Sequence, residues 1–433
     1  MFEKIFKIKE RKSSIRQEFI GGLVTFLTMA YIIFVNPNIL SASGMDKNAL
    51  ITVTCIAAII GTLLVGFWAN VPFAMAPGMG LNAMFTYTLV LSQGATWQQA
   101  LGVVFLSGVF FIIISLLGLR HKIVDAIPES LRIAIGAGIG LFIAFIGFKQ
   151  MGLIVSNPAT LVGLGKFTPG LVIGIIGLFV TVLLEQYKVK GSILIGIILS
   201  AVLGFIFDKN IAFPSQIIST PPSIAPVFFK LDILSVLKIS FIVPIFSFLF
   251  VNLFDSIGTA IACSMEAGLI DKNGKMPHIK KVLEADATAT MLSGFLGTSS
   301  TVTYIESAAG IANGARTGLS SVFTALFFVL AMFFAPVIGV VPAYATAPAL
   351  ILVGIYMAKH LIKIDFTNLY IAVPAFLTLI LMPLTYSISS GIAYGFASYL
   401  LLCLFTKKLD KVHPIMWFIG ILSILEIVVS QLH

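Results

Sequence analysis

Apolar runs separated by short polar connections repeat along the whole chain. Seven fill the first half: Phe19 to Leu40, Leu50 to Trp68, Ala74 to Leu91, Ala100 to Leu119, Ile133 to Phe148, Leu171 to Leu184 and Ile193 to Phe207. A polar, proline-rich stretch, Asp208 to Lys238, interrupts the pattern. Seven more runs follow it: Ile239 to Cys263, Ala285 to Leu296, Tyr304 to Ile311, Leu319 to Val337, Ala347 to Met357, Leu369 to Leu384 and Ile388 to Phe405. Many approach the roughly 20 apolar residues that a helix needs to cross hydrocarbon. The pattern predicts an all-α integral membrane protein of about fourteen spans. A last apolar stretch, Pro414 to Val429, fits either an extra span or a helix lying in the membrane interface.

Composition sharpens this reading. Of the 433 residues 58% are hydrophobic and 10% charged, where a soluble domain carries about 25% charged residues; mean hydropathy is +1.06. The chain divides into a basic N-terminus (1–18), a first set of spans (19–207), an outer connecting loop (208–238), a second set (239–405) and a C-terminal segment (406–433). The run from Phe19 is too long for a signal-peptide core and reads as the first span. With the N-terminus placed in the cytoplasm, only Lys47, Lys149, Lys166, Lys209, Lys230 and Lys238 of the 27 Lys and Arg residues fall outside. The other 21 fall inside, as expected for cytoplasmic loops of a plasma-membrane protein.

The net charge of +9 does not indicate nucleic acid, because the basic residues lie scattered between apolar runs rather than on one face. Cys55, Cys263 and Cys403 lie singly in apolar segments without metal-ligand spacing, so small core residues and no disulfide are expected. The five histidines, His121, His278, His360, His413 and His433, fall in inner loops or at the C-terminus. Neither a metal, a cofactor nor an enzymatic nucleophile is expected.

Seven spans is an odd number, so the second set runs oppositely to the first, the topology of an inverted repeat whose site lies on broken helices at the repeat interface. The third segment of each half carries the break. Val71-Pro72-Phe73-Ala74-Met75-Ala76-Pro77-Gly78-Met79-Gly80 holds two prolines and two glycines, and cannot begin a regular helix. Gly297-Thr298-Ser299-Ser300-Thr301-Val302-Thr303 is β-branched and hydroxyl-rich, suited to extended chain. Strands are therefore predicted at Phe73 to Ala76 and Ser300 to Thr303, breaking spans 3 and 10. Lipid cannot satisfy their backbone groups, so they pair with each other, are covered by protein or face a polar solute. Each leads into a half-helix whose N-terminus adds a positive dipole end.

Two carboxylates stand out inside apolar segments, Asp255 and Glu306. An acid at mid-bilayer costs several kcal/mol and persists beside a partner, a cavity or a bound proton, and no buried Lys, Arg or His is at hand to pair with either. A polar staple between helices is the plain alternative. Asn82, just after the first break, is a candidate ligand or a helix cap; Asn36 and Asn252 are weaker candidates. Glu284 and Asp286 sit near Lys280-Lys281 and read as a solvated or paired inner end, as does Glu185 beside Lys188. In Gly136-Ala137-Gly138-Ile139-Gly140 the small residues suit close helix packing rather than a nucleotide loop.

Four segments together resemble one family: Thr25-Phe26-Leu27-Thr28-Met29-Ala30-Tyr31, Ala76-Pro77-Gly78-Met79-Gly80-Leu81-Asn82-Ala83, Phe254-Asp255-Ser256-Ile257-Gly258-Thr259 and Thr303-Tyr304-Ile305-Glu306-Ser307-Ala308-Ala309-Gly310. They are similar to the nucleobase–cation symporters, in the adenine/guanine/hypoxanthine permease branch, and the resemblance runs from Arg16 to Phe405. It implies fourteen spans in two inverted seven-span repeats, divided into a core domain with the site and a gate domain that often forms homodimers. It also implies proton-driven import of purine nucleobases by an elevator-like movement. By motif, Asp255 and Glu306 contact the base and couple protons, Asn82 and Thr259 are polar site positions, and Ile305 offers its backbone N–H. The uracil and xanthine branches typically have Glu where this chain has Asp255, which leaves more room here for a bicyclic base. The alternatives are a uracil or xanthine permease, or an anion transporter of the same fold; buried acids, which repel anions, oppose the latter.

Overall fold

A computed structural model describes residues 2–118, 126–214, 216–269, 276, 278–407 and 412–430. The inner-loop assignments of Arg120, Lys122, Lys272, Lys275, Lys408 and Lys411, and of His121 and His433, fall outside the described residues. In chain order the first half comprises α1 (Phe2–Phe6), α2 (Ile15–Met29), α3 (Ile32–Leu40), α4 (Lys47–Trp68), β1 (Met75–Pro77), α5 (Met79–Ala83), a π-helical stretch Met84–Ser92, α6 (Trp97–Leu116), α7 (Glu129–Met151), β2 (Ile154–Asn157), β3 (Leu161–Leu164), α8 (Pro169–Gln186) and α9 (Ser192–Phe207). The second half comprises α10 (Ile233–Val236), α11 (Ile242–Glu266), α12 (Ile279–Leu296), β4 (Thr301–Thr303), α13 (Ser307–Ala312), α14 (Gly318–Ala331), α15 (Ala335–Gly339), α16 (Ala343–Ala358), α17 (Leu369–Thr385), α18 (Ile388–Phe405) and α19 (Pro414–Ser430).

Among the described residues nine helices are long and apolar enough to cross a membrane, and Ser192–Phe207, Leu369–Thr385 and Pro414–Ile424 are shorter apolar helices. This is a multi-pass membrane protein. Local chemistry sets many helix starts. Asp46 accepts from the Ala49 N–H at 2.7 Å, Thr96 and Gln99 form a reciprocal capping box, and Thr168 precedes a proline at the first turn of α8. Two features were not anticipated from the pattern. The first apolar run is split, with α2 ending at Met29 and α3 starting at Ile32. Between α7 and α8 the chain forms the β2–β3 hairpin, whose four-residue strands are too short to stand out from loop in sequence.

The helices fall into two packing groups. In one, α12 and α14 pack on α4, with α2, α6 and α11 around them; in the other, α16 and α17 pack on α7, with α8, α9 and α18 alongside. Close approach in the second group depends on the glycines of α7. A Cβ on Gly140 would lie 2.6 Å from the Met357 Cβ, and one on Gly138 would lie 2.7 Å from the Met382 sulfur, whereas one on Gly136 would meet nothing within 4 Å. Gly140→Leu is therefore expected to destabilise the protein by about 1–3 kcal/mol through overpacking, seen as a lower melting temperature in detergent, with Gly136→Ala as the neutral control. Equal melting of Gly140→Leu and wild type would show that the two helices can separate freely.

Candidate functional site

Strands β1 and β4 pair antiparallel, Met75 opposite Thr303, Ala76 opposite Val302 and Pro77 opposite Thr301. Both are fully buried. Gly297, at φ 91°, turns the chain from the end of α12 toward β4. β1 lies one to two residues beyond the expected Phe73 to Ala76, which puts Pro77 at the end of the ladder, where its missing N–H costs least. Side chains complete the backbone bonding that lipid would leave unmet. Thr62 accepts from the Met75 N–H (2.9 Å) and donates to the Met75 carbonyl (3.1 Å), Ser307 accepts from the Ala74 N–H (3.0 Å), and the Tyr304 hydroxyl donates to the Pro77 carbonyl (2.6 Å).

Behind β4, α12 presents Asp286, Thr290 and Ser293 on one face at i, i+4, i+7 spacing. Each reads the strand. Asp286 accepts from the Thr303 N–H (3.0 Å) and hydroxyl (3.1 Å), Thr290 donates to the Thr301 carbonyl (3.1 Å), and Ser293 donates to the Thr301 hydroxyl (2.7 Å). The expectation that Asp286 belongs to a solvated inner end is thus corrected: it is fully buried beneath the strand. Asn252 and Asn36 brace the same region, donating to Thr290 (2.7 Å) and to Thr54 (2.7 Å) and Thr298 (3.1 Å).

Glu306 lies just past β4, immediately before α13, and one of its carboxylate oxygens accepts from the Tyr31 hydroxyl at 2.5 Å. Tyr31 sits at the break between α2 and α3, so the split in the first apolar run delivers a donor to the acid. Thr28, one turn earlier, reaches the Glu306 carbonyl at 3.5 Å. From α11, Asp255 makes no side-chain hydrogen bond among the described residues, and the carboxylates of Asp286 and Glu306 are the charges within its reach. Thr259 follows one helical turn on from Asp255. Both, like Glu306, are half-buried, and the Ile305 side chain is 48% exposed. Three acids thus converge on one edge of the strand pair, two of them accessible.

Asn82 lies on the sealed side. It is fully buried, its carbonyl oxygen accepts from the Ser299 hydroxyl, and its amide nitrogen has no hydrogen-bond partner among the described residues. Gly78, not Asn82, is the N-cap of α5. At five and six residues α5 and α13 are too short for much of a dipole, so individual N–H groups are what they offer. Tyr31 and Asp286 received no functional role from sequence. The polar stripe running from Asp286 to Ser293 is a signal for Asp286, whereas Tyr31 leaves none, because the chain is apolar on both sides of it.

A family model described as the "Permease family" matches residues 16–394, which takes in all of these segments. The chain belongs to this permease family. It is 40% identical to the adenine permease AdeP of Escherichia coli strain K12, over 100% of this chain and 97% of that protein. It is 44% identical to the guanine/hypoxanthine permease PbuG of Bacillus subtilis strain 168, over 97% of this chain and 98% of that one. These relatives are transport proteins, in the branch that the four segments resemble. Among solved structures, the transmembrane domain of the cyanobacterial bicarbonate transporter BicA superposes with a TM-score of 0.64 at 15% identity, covering 86% of this permease and 97% of that chain. SLC26A9 gives a TM-score of 0.64 at 12% identity, over 94% of this chain and 67% of that one. At such identities the likeness is one of fold.

Proposed function

We propose that this permease imports purine nucleobases, adenine, guanine or hypoxanthine, together with protons across the plasma membrane. The observation that carries the reading is the pair of accessible acids, Asp255 and Glu306, set beside a buried strand pair, in a chain whose full-length relatives are named adenine and guanine/hypoxanthine permeases. Purine edges present N–H donors to carboxylates and accept from backbone N–H groups such as that of Ile305. Asp255 and Glu306 are the substrate and proton-coupling residues, Thr259 lines the same side, and Asn82 contributes through its bond to Ser299, just ahead of β4. The nine long helices, two shorter ones and three polar or broken segments (Ala74 to Leu91, Ala285 to Leu296, Tyr304 to Ile311) are consistent with fourteen spans in two inverted repeats. On this reading the group around α4 and α12 is the core domain and the group around α7 and α16 is the gate, through which homodimers form. The N-terminus is cytoplasmic and the core slides against the gate.

Uptake of radiolabelled adenine, guanine, hypoxanthine, uracil and xanthine by cells lacking their own permeases tests the reading, with bicarbonate and sulfate as controls. Purine uptake is expected; uptake of uracil or of an anion alone would replace it. Asp255→Asn is expected to bind purine more weakly and to lose accumulation against a gradient, because it removes an accessible acid that no other group pairs among the described residues. Accumulation by wild type that persists with a protonophore, or follows sodium, would take Asp255 out of the coupling role.

A further inference from the structure

Away from these acids, a cavity of about 410 Å³ opens between the start of α7, the start of α17 and the end of α18. That volume is in the range of ligand sites, roughly 300–1,000 Å³. Glu129, Lys363 and Asp365 line it together with Ile133, Ile371 and Tyr399. Its charges are of both signs, yet neither Glu129 nor Lys363 has an ion-pair partner among the described residues. Asp365 is engaged locally, accepting from the Thr367 N–H (3.0 Å) and hydroxyl (2.5 Å). Opposite charges that line one space without meeting leave room for a molecule carrying both.

The surroundings select the kind of zwitterion. Ile362, Leu369 and Phe405, next to or near lining residues in the chain, are 90%, 69% and 79% exposed. Aliphatic Ile133 and Ile371 line the cavity itself. Apolar side chains so exposed, around a polar opening at the ends of membrane-crossing helices, belong at the boundary between headgroups and acyl chains. The Lys and Arg bias puts this face on the inner leaflet. We propose that the cavity binds a phospholipid with a zwitterionic head that carries a primary ammonium, a phosphatidylethanolamine. The ammonium meets Glu129 and Asp365, the phosphate meets Lys363, and the acyl chains run over Ile133 and Ile371. This inference is independent of which solute is transported.

Native mass spectrometry of the full-length protein, titrated in detergent with phosphatidylethanolamine or phosphatidylglycerol of matched acyl chains, tests it. Wild type is expected to hold the ethanolamine lipid at about tenfold lower concentration than the glycerol lipid, the effect of one charge-assisted contact. Glu129→Gln and Lys363→Gln are each expected to weaken it about tenfold, and Glu129→Lys to reverse the preference toward the anionic lipid. The reversal is a gain, which a misfolded variant would not produce. Glycerophosphoethanolamine, the head without acyl chains, is expected not to displace the lipid. Equal retention of both lipids by wild type and all variants overturns the site, and displacement by the free head at concentrations equal to the lipid's makes the ligand a soluble zwitterion instead.

Discussion

Glu306→Gln is expected to reduce purine uptake about a hundredfold while leaving the protein folded and inserted, since one buried polar group left unpaired costs about 1–3 kcal/mol and a charge is lost besides. One oxygen of Glu306 is already taken by the Tyr31 hydroxyl at 2.5 Å. On the proposed reading the other faces the solute. With glutamine, either the amide oxygen keeps the Tyr31 bond and the NH₂ group faces a purine N–H, donor against donor, or the amide turns over and the hydroxyl proton of Tyr31 loses its acceptor. No orientation satisfies both. Tyr31→Phe leaves the carboxylate in place and removes one donor, so a milder effect follows, a rise in KM of about tenfold with uptake retained. Initial uptake rates, normalised to membrane-inserted protein, separate the two variants. Wild-type affinity in Glu306→Gln would mean that Glu306 is not a ligand.

The hierarchy between these variants was only half visible in sequence. Hydropathy and the Lys and Arg bias are properties of whole segments and mark the apolar runs, while prolines and glycines in one half and β-branched, hydroxyl-bearing residues in the other mark the chain breaks. The acids Asp255 and Glu306 were conspicuous because charge inside an apolar run is costly. Their partners were not. Tyr31 is an ordinary residue in a membrane span, and its value comes from the split between Met29 and Ile32, which apolar periodicity does not register because both halves are apolar. Asp286 was misread for a related reason. It follows Lys280, Lys281 and Glu284 closely in sequence, but a helix rises 1.5 Å per residue, so seven residues from Ile279 lift Asp286 about 10 Å from the helix start. Asn82 shows the reverse: its position after a break suggested a ligand, yet its carbonyl is turned to Ser299 and its side chain is sealed. Contacts across the strand pair join residues more than 200 positions apart, and no local pattern encodes them.

Asp286 is also where loss of one side chain is expected to reach both stability and transport. It is fully buried and takes two donors from Thr303, the backbone N–H at 3.0 Å and the hydroxyl at 3.1 Å. Asp286→Ala leaves both without an acceptor, at about 1–3 kcal/mol each, with no lipid or water to replace it. A melting temperature lower by about 5 °C or more in detergent is expected from a loss of that size. Because Thr303 precedes Glu306 by three residues, a strand released from α12 also lets Glu306 drift from Tyr31, and uptake falls with stability. Asp286→Asn separates the two consequences. Its carbonyl oxygen can still take the Thr303 N–H, so the strand stays in place and the melting temperature stays near that of wild type. What is lost is a charge within reach of Asp255, so any transport defect in Asp286→Asn reports electrostatics rather than support of the strand. An alanine variant that melts and transports like wild type would mean that pairing with β1 and the Thr290 and Ser293 contacts to Thr301 hold β4 without Asp286.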